Sequence, residues 1–293
     1  MFYLVIVTIL WAFSFSLIGE YLMNLDKYFL VFIRIVLAAL LFVPFTKFKG
    51  VPLILQSQLM LIGSIQIGIM YLFLYHSYRF LTVPEILLFT IFTPFYVTLV
   101  YDILVRRFHF LYLISAALAV LGAFIIRYNN VSENFWAGFL LVQAANICFA
   151  LGQSAYKYVA ENNRNFEQKE IFGYFHFGAL IVTMLAFFIF GDFEKINPSF
   201  LQWFILFWLG LAASGVGYFL WNKGATMVDA GVLGIMNNAL IPAGIVINIT
   251  IWNKIENYTA LVVGTAVILA SLLFHIKYKN CNCNISAIWQ FKK

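Results

Sequence analysis

Long apolar runs alternate with short polar breaks along the whole chain. Each run is about twenty residues long, the length of helix that crosses the hydrocarbon of a bilayer. Ten runs predict ten spans. The first five are Phe2–Gly19, Tyr28–Thr46, Leu59–Tyr78, Pro84–Leu104 and Phe110–Ile126. The second five are Phe135–Tyr158, Ile171–Phe190, Phe200–Trp221, Ala230–Trp252 and Tyr258–Tyr278. They are numbered spans 1 to 10. Backbone N–H and C=O groups in lipid must be bonded internally, so such runs read as helices. The expected fold class is an all-α membrane protein of ten transmembrane helices. Span 1 has no basic n-region and no small-residue cleavage site, so it reads as an uncleaved helix rather than a signal peptide.

The pattern repeats. Gly215–Pro242 has a weaker partner in Gly68–Pro94. Gly68 aligns with Gly215 and Tyr71 with Tyr218; one inserted residue brings Pro94 onto Pro242. Each copy is an apolar segment, a polar break and a second apolar segment interrupted by proline. This predicts two units, residues 1–127 and 135–278, followed by a tail, 279–293. Five spans per unit is an odd number, so the second unit starts on the opposite face. An inverted repeat of this kind gives a transporter two related conformations, one open to each side.

Charge fixes an orientation. With the N-terminus in the cytoplasm, the inner segments hold Lys47, Lys49, Arg106, Arg107, Lys157, Arg164, Lys169, Lys223, Lys277, Lys279, Lys292 and Lys293. The outer side holds only Lys27, Arg79, Arg127, Lys195 and Lys254, and Arg34 lies within span 2. The bias follows the positive-inside rule and places both termini inside. Composition agrees: 63% of residues are hydrophobic and 10% charged, against about a quarter charged in a soluble domain. The net charge of +6 therefore reports topology, and no nucleic-acid partner is expected. Cys281 and Cys283 sit in the tail at CxC spacing without a nearby histidine, which is too few ligands for a metal site. No metal or cofactor is expected.

The motifs carry a family resemblance. Span 1 contains WAFSFSLIGEY (Trp11–Tyr21), which resembles the opening Trp-Gly/Ala-x-x-Phe of bacterial EamA-type transporters in the drug/metabolite transporter superfamily. Its counterpart in span 6 is FALGQSAYKYV (Phe149–Val159). Span 2 carries FIRIVLAALL, similar to the family's Arg-Phe-x-x-Ala-Ala pattern with Arg34 as the arginine. Pro94 and Pro242 fall where the family has a proline in the fourth helix of each repeat. Two departures stand out: Gly19 and Glu20 replace the usual lysine late in span 1, and Arg106 and Arg107 stand where an acidic residue commonly follows the fourth helix. The resemblance implies a multi-pass protein of the bacterial inner membrane. It also implies alternating-access transport of small metabolites, with the carboxylate, amino acid and amine subgroup as the nearest likeness.

Polar groups within spans are costly in lipid and face a bundle interior or a wet cavity. Gln143, Asn146, Ala150 and Gln153 form one face of span 6. Asn237 and Asn238 stand one turn before Pro242, where the missing N–H frees a carbonyl. Thr93 beside Pro94 is the counterpart in span 4. Gln66, the pair Tyr71 and Tyr218, Asn222, Trp11 and Phe15 complete the candidate substrate-binding set. For the amides the alternative role is interhelical bonding; for Phe15 it is lipid contact. Arg34 has two readings, a side chain that snorkels outward or one that turns inward to attract an anion. His176 reads as a neutral, hydrogen-bonded histidine whose chemistry also permits proton transfer, and Glu20 is a second candidate for a proton or charge role. Lys157 reads as a topology charge. No carboxylate lies at mid-depth. Spans 1, 3, 4, 6, 8 and 9 are expected to surround a cavity nearly free of acids, with spans 5 and 10 packed outside.

Two other function classes compete. An intramembrane lipid-modifying enzyme needs clustered acids or histidines, yet His76, His109, His176 and His275 are scattered in the sequence. A receptor or structural subunit has no need of inverted duplication or paired prolines. The chain is therefore expected to be no enzyme. Its partners are a small-molecule substrate and the lipid bilayer, and its assembly a monomer or homodimer.

Overall fold

The computed structural model describes residues 1–106, 109–127, 135–252 and 258–278. Arg107, Lys254 and the tail with Cys281 and Cys283 lie outside these. Among the described residues all regular structure is helical. Within the described residues eight helices are long and apolar enough to cross a membrane. Spans 5 (Phe110–Arg127) and 10 (Tyr258–Tyr278) complete a chain of ten.

The polar breaks start the helices. Span 2 (Lys27–Phe42) is capped by Asp26, whose carboxylate accepts from Phe29 N at 2.8 Å. Span 8 starts on a capping box of Ser199 and Gln202. Span 9 starts behind Asp229, which accepts from Val232 N. Span 3 runs from Leu53 to Ser77, a turn and a half earlier than the apolar run at Leu59 suggests. Gln56 bonds Val51 O just before the helix and Ser57 bonds Ile54 O within it, so their polarity does not end it.

Four spans are irregular at mid-depth. Span 4 consists of Val83–Phe89, a 3-10 turn over Thr90–Phe92, and Thr93–Val105. Pro94 does not bend a continuous helix; it starts the second half. The Thr90 carbonyl, denied a Pro94 N–H, is met by the Thr93 hydroxyl at 2.7 Å. Span 9 breaks likewise, into Ala230–Asn238 and Leu240–Trp252. Spans 3 and 8 each widen into a π-helical stretch, Ser64–Ile69 and Leu209–Val216. Such stretches shift the helix register and often mark functional positions.

Small residues allow close crossings. A Cβ on Gly63 would overlap the Phe175 carbonyl, and one on Gly178 that of Met60, so spans 3 and 7 (Gln168–Phe190) touch backbone to backbone. Spans 5 and 10 pack on one another, where a Cβ on Gly122 would stand 2.8 Å from Gly264 O. Successive spans alternate in direction. One end of the bundle, here the Met1 face, gathers Tyr3 beside Lys223, Lys47 beside Glu170, and Tyr101 bonded to Glu161. The opposite face gathers Asp26 N on Lys195 O and Gln202 on Tyr21 O.

Candidate functional site

A central cavity lies between spans 1, 2, 3, 4, 6, 8 and 9. Among the described residues, spans 5, 7 and 10 contribute nothing to its lining. Its floor toward the Met1 face is aromatic. Trp11 has ring centroids 4.9 Å from both Tyr218 and Trp221 and 5.6 Å from Phe149. Polar bonds hold these rings: Trp11 Nε1 donates to Ala213 O at 3.0 Å, within the π stretch of span 8, and Trp221 Nε1 donates to Gln153 Oε1 at 3.0 Å. Rings fixed at their polar atoms present flat apolar faces at little entropic cost.

Arg34 forms the opposite wall. It turns inward rather than snorkelling, and is only 2% exposed. Nη1 donates to Tyr75 Oη at 2.6 Å, Nη2 to Tyr71 Oη at 2.8 Å and Nε to Ser214 Oγ at 3.1 Å. The guanidinium also stands 4.5 Å from the centre of the Tyr71 ring. All these partners are neutral. Among the described residues no carboxylate pairs with Arg34, and none lines the cavity. A buried cation without a counter-ion is costly unless an anion can reach it. The cavity is thus acid-free, as the sequence suggests, but carries a positive charge that a purely neutral, amide-rich site would lack.

The break in span 4 forms the side wall. Phe89 O accepts from Gln143 Nε2 at 2.8 Å and from Asn146 Nδ2 at 2.9 Å. Thr90 and Thr93 face the cavity beside Asn146. Across from them Asn237 bonds Leu233 O at 2.7 Å and meets Gln153.

The structure brings Trp11, Phe15, Arg34, Tyr71, Thr93, Asn146, Tyr218 and Asn237 to this cavity. It places the other candidates elsewhere. Gln66 and Asn222 bond one another at 3.2 Å between spans 3 and 8, away from the lining. Gln153 lies behind the aromatic floor. Asn238 reaches Ile91 O in the break of span 4. These four amides join helices. Pro94 and Pro242 shape the breaks without lining the cavity. His176 is fully buried among Phe42, Phe172 and Phe175. Among the described residues neither ring nitrogen has a hydrogen-bond partner, in place of the bonded histidine expected. Glu20 is exposed at the end of span 1. Lys157 is no surface charge: it is buried, bonding Ala225 O, Val228 O and Glu161.

Sequence reasoning missed Ser214, Phe149 and Trp221 as site residues, and placed Tyr75 on the face of Tyr71 without assigning it to the site. Ser214 lies one turn before Tyr218, and Tyr75 one turn after Tyr71, so helical spacing from the two aligned tyrosines pointed at both.

A bundle with broken helices around a polar-edged aromatic cavity is the architecture of a membrane transporter. The EamA-like transporter family matches residues 1–128. A biotin transporter of Salmonella typhimurium is 51% identical over 277 residues, 94% of this chain and 92% of its own. The biotin transporter of Escherichia coli is 50% identical over the same shares. A probable biotin transporter of Pseudomonas aeruginosa is 50% identical over 92% of this chain and 95% of its own. One solved crystal structure shares the fold at a TM-score of 0.74 and 15% identity, over 93% of this chain and 95% of that one. The chain belongs to the EamA-like transporter family of the drug/metabolite transporter superfamily. It is a small-molecule membrane transporter, not an enzyme. The three relatives carry biotin in their names, not an amino acid or an amine.

Proposed function

We propose that the protein transports biotin across the bacterial inner membrane by alternating access. Of the three expected substrate classes, biotin keeps only the carboxylate. The observation that carries the reading is Arg34, a buried cation on the cavity wall with three neutral hydroxyl partners. Biotin has one carboxylate on a flexible chain and a compact, uncharged ring system. The carboxylate meets Arg34 through the charge-assisted geometry that a guanidinium favours. The rings lie against Trp11, Phe149, Tyr218 and Trp221. The urea group reaches the Thr93, Asn146 and Asn237 side. Relatives of about half-identical sequence with biotin in their names support the same substrate.

Two units, 1–127 and 135–278, form the inverted repeat in this reading, supported by the π stretches of spans 3 and 8 and the breaks of spans 4 and 9. The Met1 face is cytoplasmic, as the lysine and arginine bias suggests. One chain encloses a complete cavity, so a monomer suffices and a homodimer needs no shared site.

Thermal unfolding of the purified protein tests the substrate. Biotin is expected to raise the midpoint, since a ligand stabilises the state that binds it. Biotin methyl ester, which lacks the charge, is expected to do so far less. A shift with an amino acid or amine and none with biotin overturns the assignment.

A further inference from the structure

A second polar cluster lies at the Met1 face, outside the substrate cavity. His275 of span 10 is fully buried. Its Nε2 stands 2.7 Å from Asp229 Oδ1, and its Nδ1 stands 3.0 Å from Ser115 Oγ of span 5. Asp229 Oδ1 also accepts Val232 N at 2.9 Å, so that oxygen is an acceptor. The one hydroxyl proton of Ser115 is directed at Leu111 O, 2.9 Å away. Ser115 Oγ is then an acceptor toward His275 as well. Both ring nitrogens face acceptors, and only an imidazolium donates from both. If the proton leaves, the Ser115 hydroxyl rotates about one bond and donates to Nδ1. Leu111 O, inside a helix, loses only an accessory bond. The pocket is therefore satisfied in two states that differ by one proton. Gly231 makes the fit possible, because any Cβ there would overlap the ring at Cε1.

The cluster is reachable. Asp229 keeps 21% of its side chain exposed, on a wide polar cavity lined also by Tyr101, His109, Tyr112, Lys157 and Glu161. The Tyr112 ring lies 4.9 Å from His275 and stacks at 4.6 Å on His109. His109 Nδ1 in turn bonds Asp102 at 2.7 Å. These, with Tyr158 and with Arg106 at the cavity edge, are the charged and titratable groups that the described residues of spans 4, 5, 6 and 9 bring to this cavity. Lys157 is already bound to Glu161 and two carbonyls.

Asp229 is also the cap of the first half of span 9, which ends at Asn238 and carries Asn237 into the substrate cavity. A proton on His275 holds the start of that half-helix against spans 5 and 10 through a charged hydrogen bond, and its loss weakens the hold. We propose that His275, Asp229 and Ser115 form a proton-binding site that couples proton movement to transport through the first half of span 9. The site rests on the transporter class, not on which substrate fills the cavity.

Two measurements test it. In histidine-labelled protein in nanodiscs, nitrogen chemical shifts report the charge state of each ring, and His275→Gln assigns the signal. The expected result is a ring that interchanges reversibly between two charge states, one donating from both nitrogens and one accepting at Nδ1, with the second altered in Ser115→Ala. A ring that stays neutral from about pH 5 to about pH 9 overturns the proposal. In proteoliposomes, a gradient of one pH unit coupled to one proton sustains about tenfold accumulation of labelled biotin. His275→Gln is expected to abolish this gradient-driven excess; accumulation equal to wild type overturns the coupling. Wild-type protein that moves no biotin at all overturns the substrate assignment alone, and the nitrogen shifts still decide the proton site.

Discussion

Asn238 of span 9 donates its amide to the carbonyl of Ile91 in span 4, at 3.2 Å. Each residue stands at the break of its own helix, so the two broken helices are clasped at their irregular points. Asn238 is fully buried. Replacing it by leucine leaves the Ile91 carbonyl unpaired in an apolar setting, at a cost of about 1–3 kcal/mol. Asn238→Leu is expected to lower the thermal midpoint by several degrees while keeping biotin affinity within a few-fold. An unchanged midpoint would show that the clasp bears no stability.

Arg34 gives the opposite pattern. A hydrogen bond to a charged group is worth about 1.5–3 kcal/mol, so Arg34→Gln should weaken biotin binding roughly ten- to a hundredfold. Arg34→Lys keeps a charge but not the planar fork, and should fall between. Tyr71→Phe and Tyr75→Phe each remove one hydroxyl that aims the guanidinium and should cost several-fold. Equal biotin affinity in Arg34→Gln, measured calorimetrically on folded protein, would remove Arg34 from the site.

The breaks concern rate rather than affinity. In Pro94→Ala and Pro242→Ala the new N–H can extend helix bonding across the irregular point. Transport is expected to slow while expression holds. Normal turnover in both variants would show that the prolines are not needed for movement.

Gly122 tests the packing of spans 5 and 10. The added methyl of Gly122→Ala would stand 2.8 Å from Gly264 O and 2.9 Å from Ile268 Cγ1, so the two helices must separate. Overpacking of this kind costs about 1–3 kcal/mol. The variant should unfold at lower temperature with unchanged biotin affinity, and a fall in affinity at full stability would contradict the scaffold role.

Topology is open to thiol labelling. Single cysteines at Lys27 or Lys195 should react with an impermeant reagent in intact cells, and one at Lys49 should not. Reversed labelling would overturn the cytoplasmic placement of the Met1 face.

Apolar runs and charge bias made the ten helices legible, because lipid forces one long apolar helix per crossing. Small residues such as Gly122 and Gly264 pointed to spans 5 and 10 as packed outside the cavity, and the six spans expected around it line it together with span 2, which brings Arg34. Sequence alone could not sort the amides. Asn146 and Asn237 reach the cavity, whereas Gln66, Gln153, Asn222 and Asn238 bond between helices, although all six are amides at similar depth. Rotation of each helix about its axis decides that, and it is set by packing across distant segments such as Gly152 against Gln66. Arg34 was visible as a charge in a span, but its direction depended on Tyr71, Tyr75 and Ser214. Ser214 lies 180 residues away in sequence. The Asp229 and His275 pair was hidden for the same reason: 46 residues and a whole helix separate them, and only the fold of spans 9 and 10 onto span 5 closes that distance to 2.7 Å.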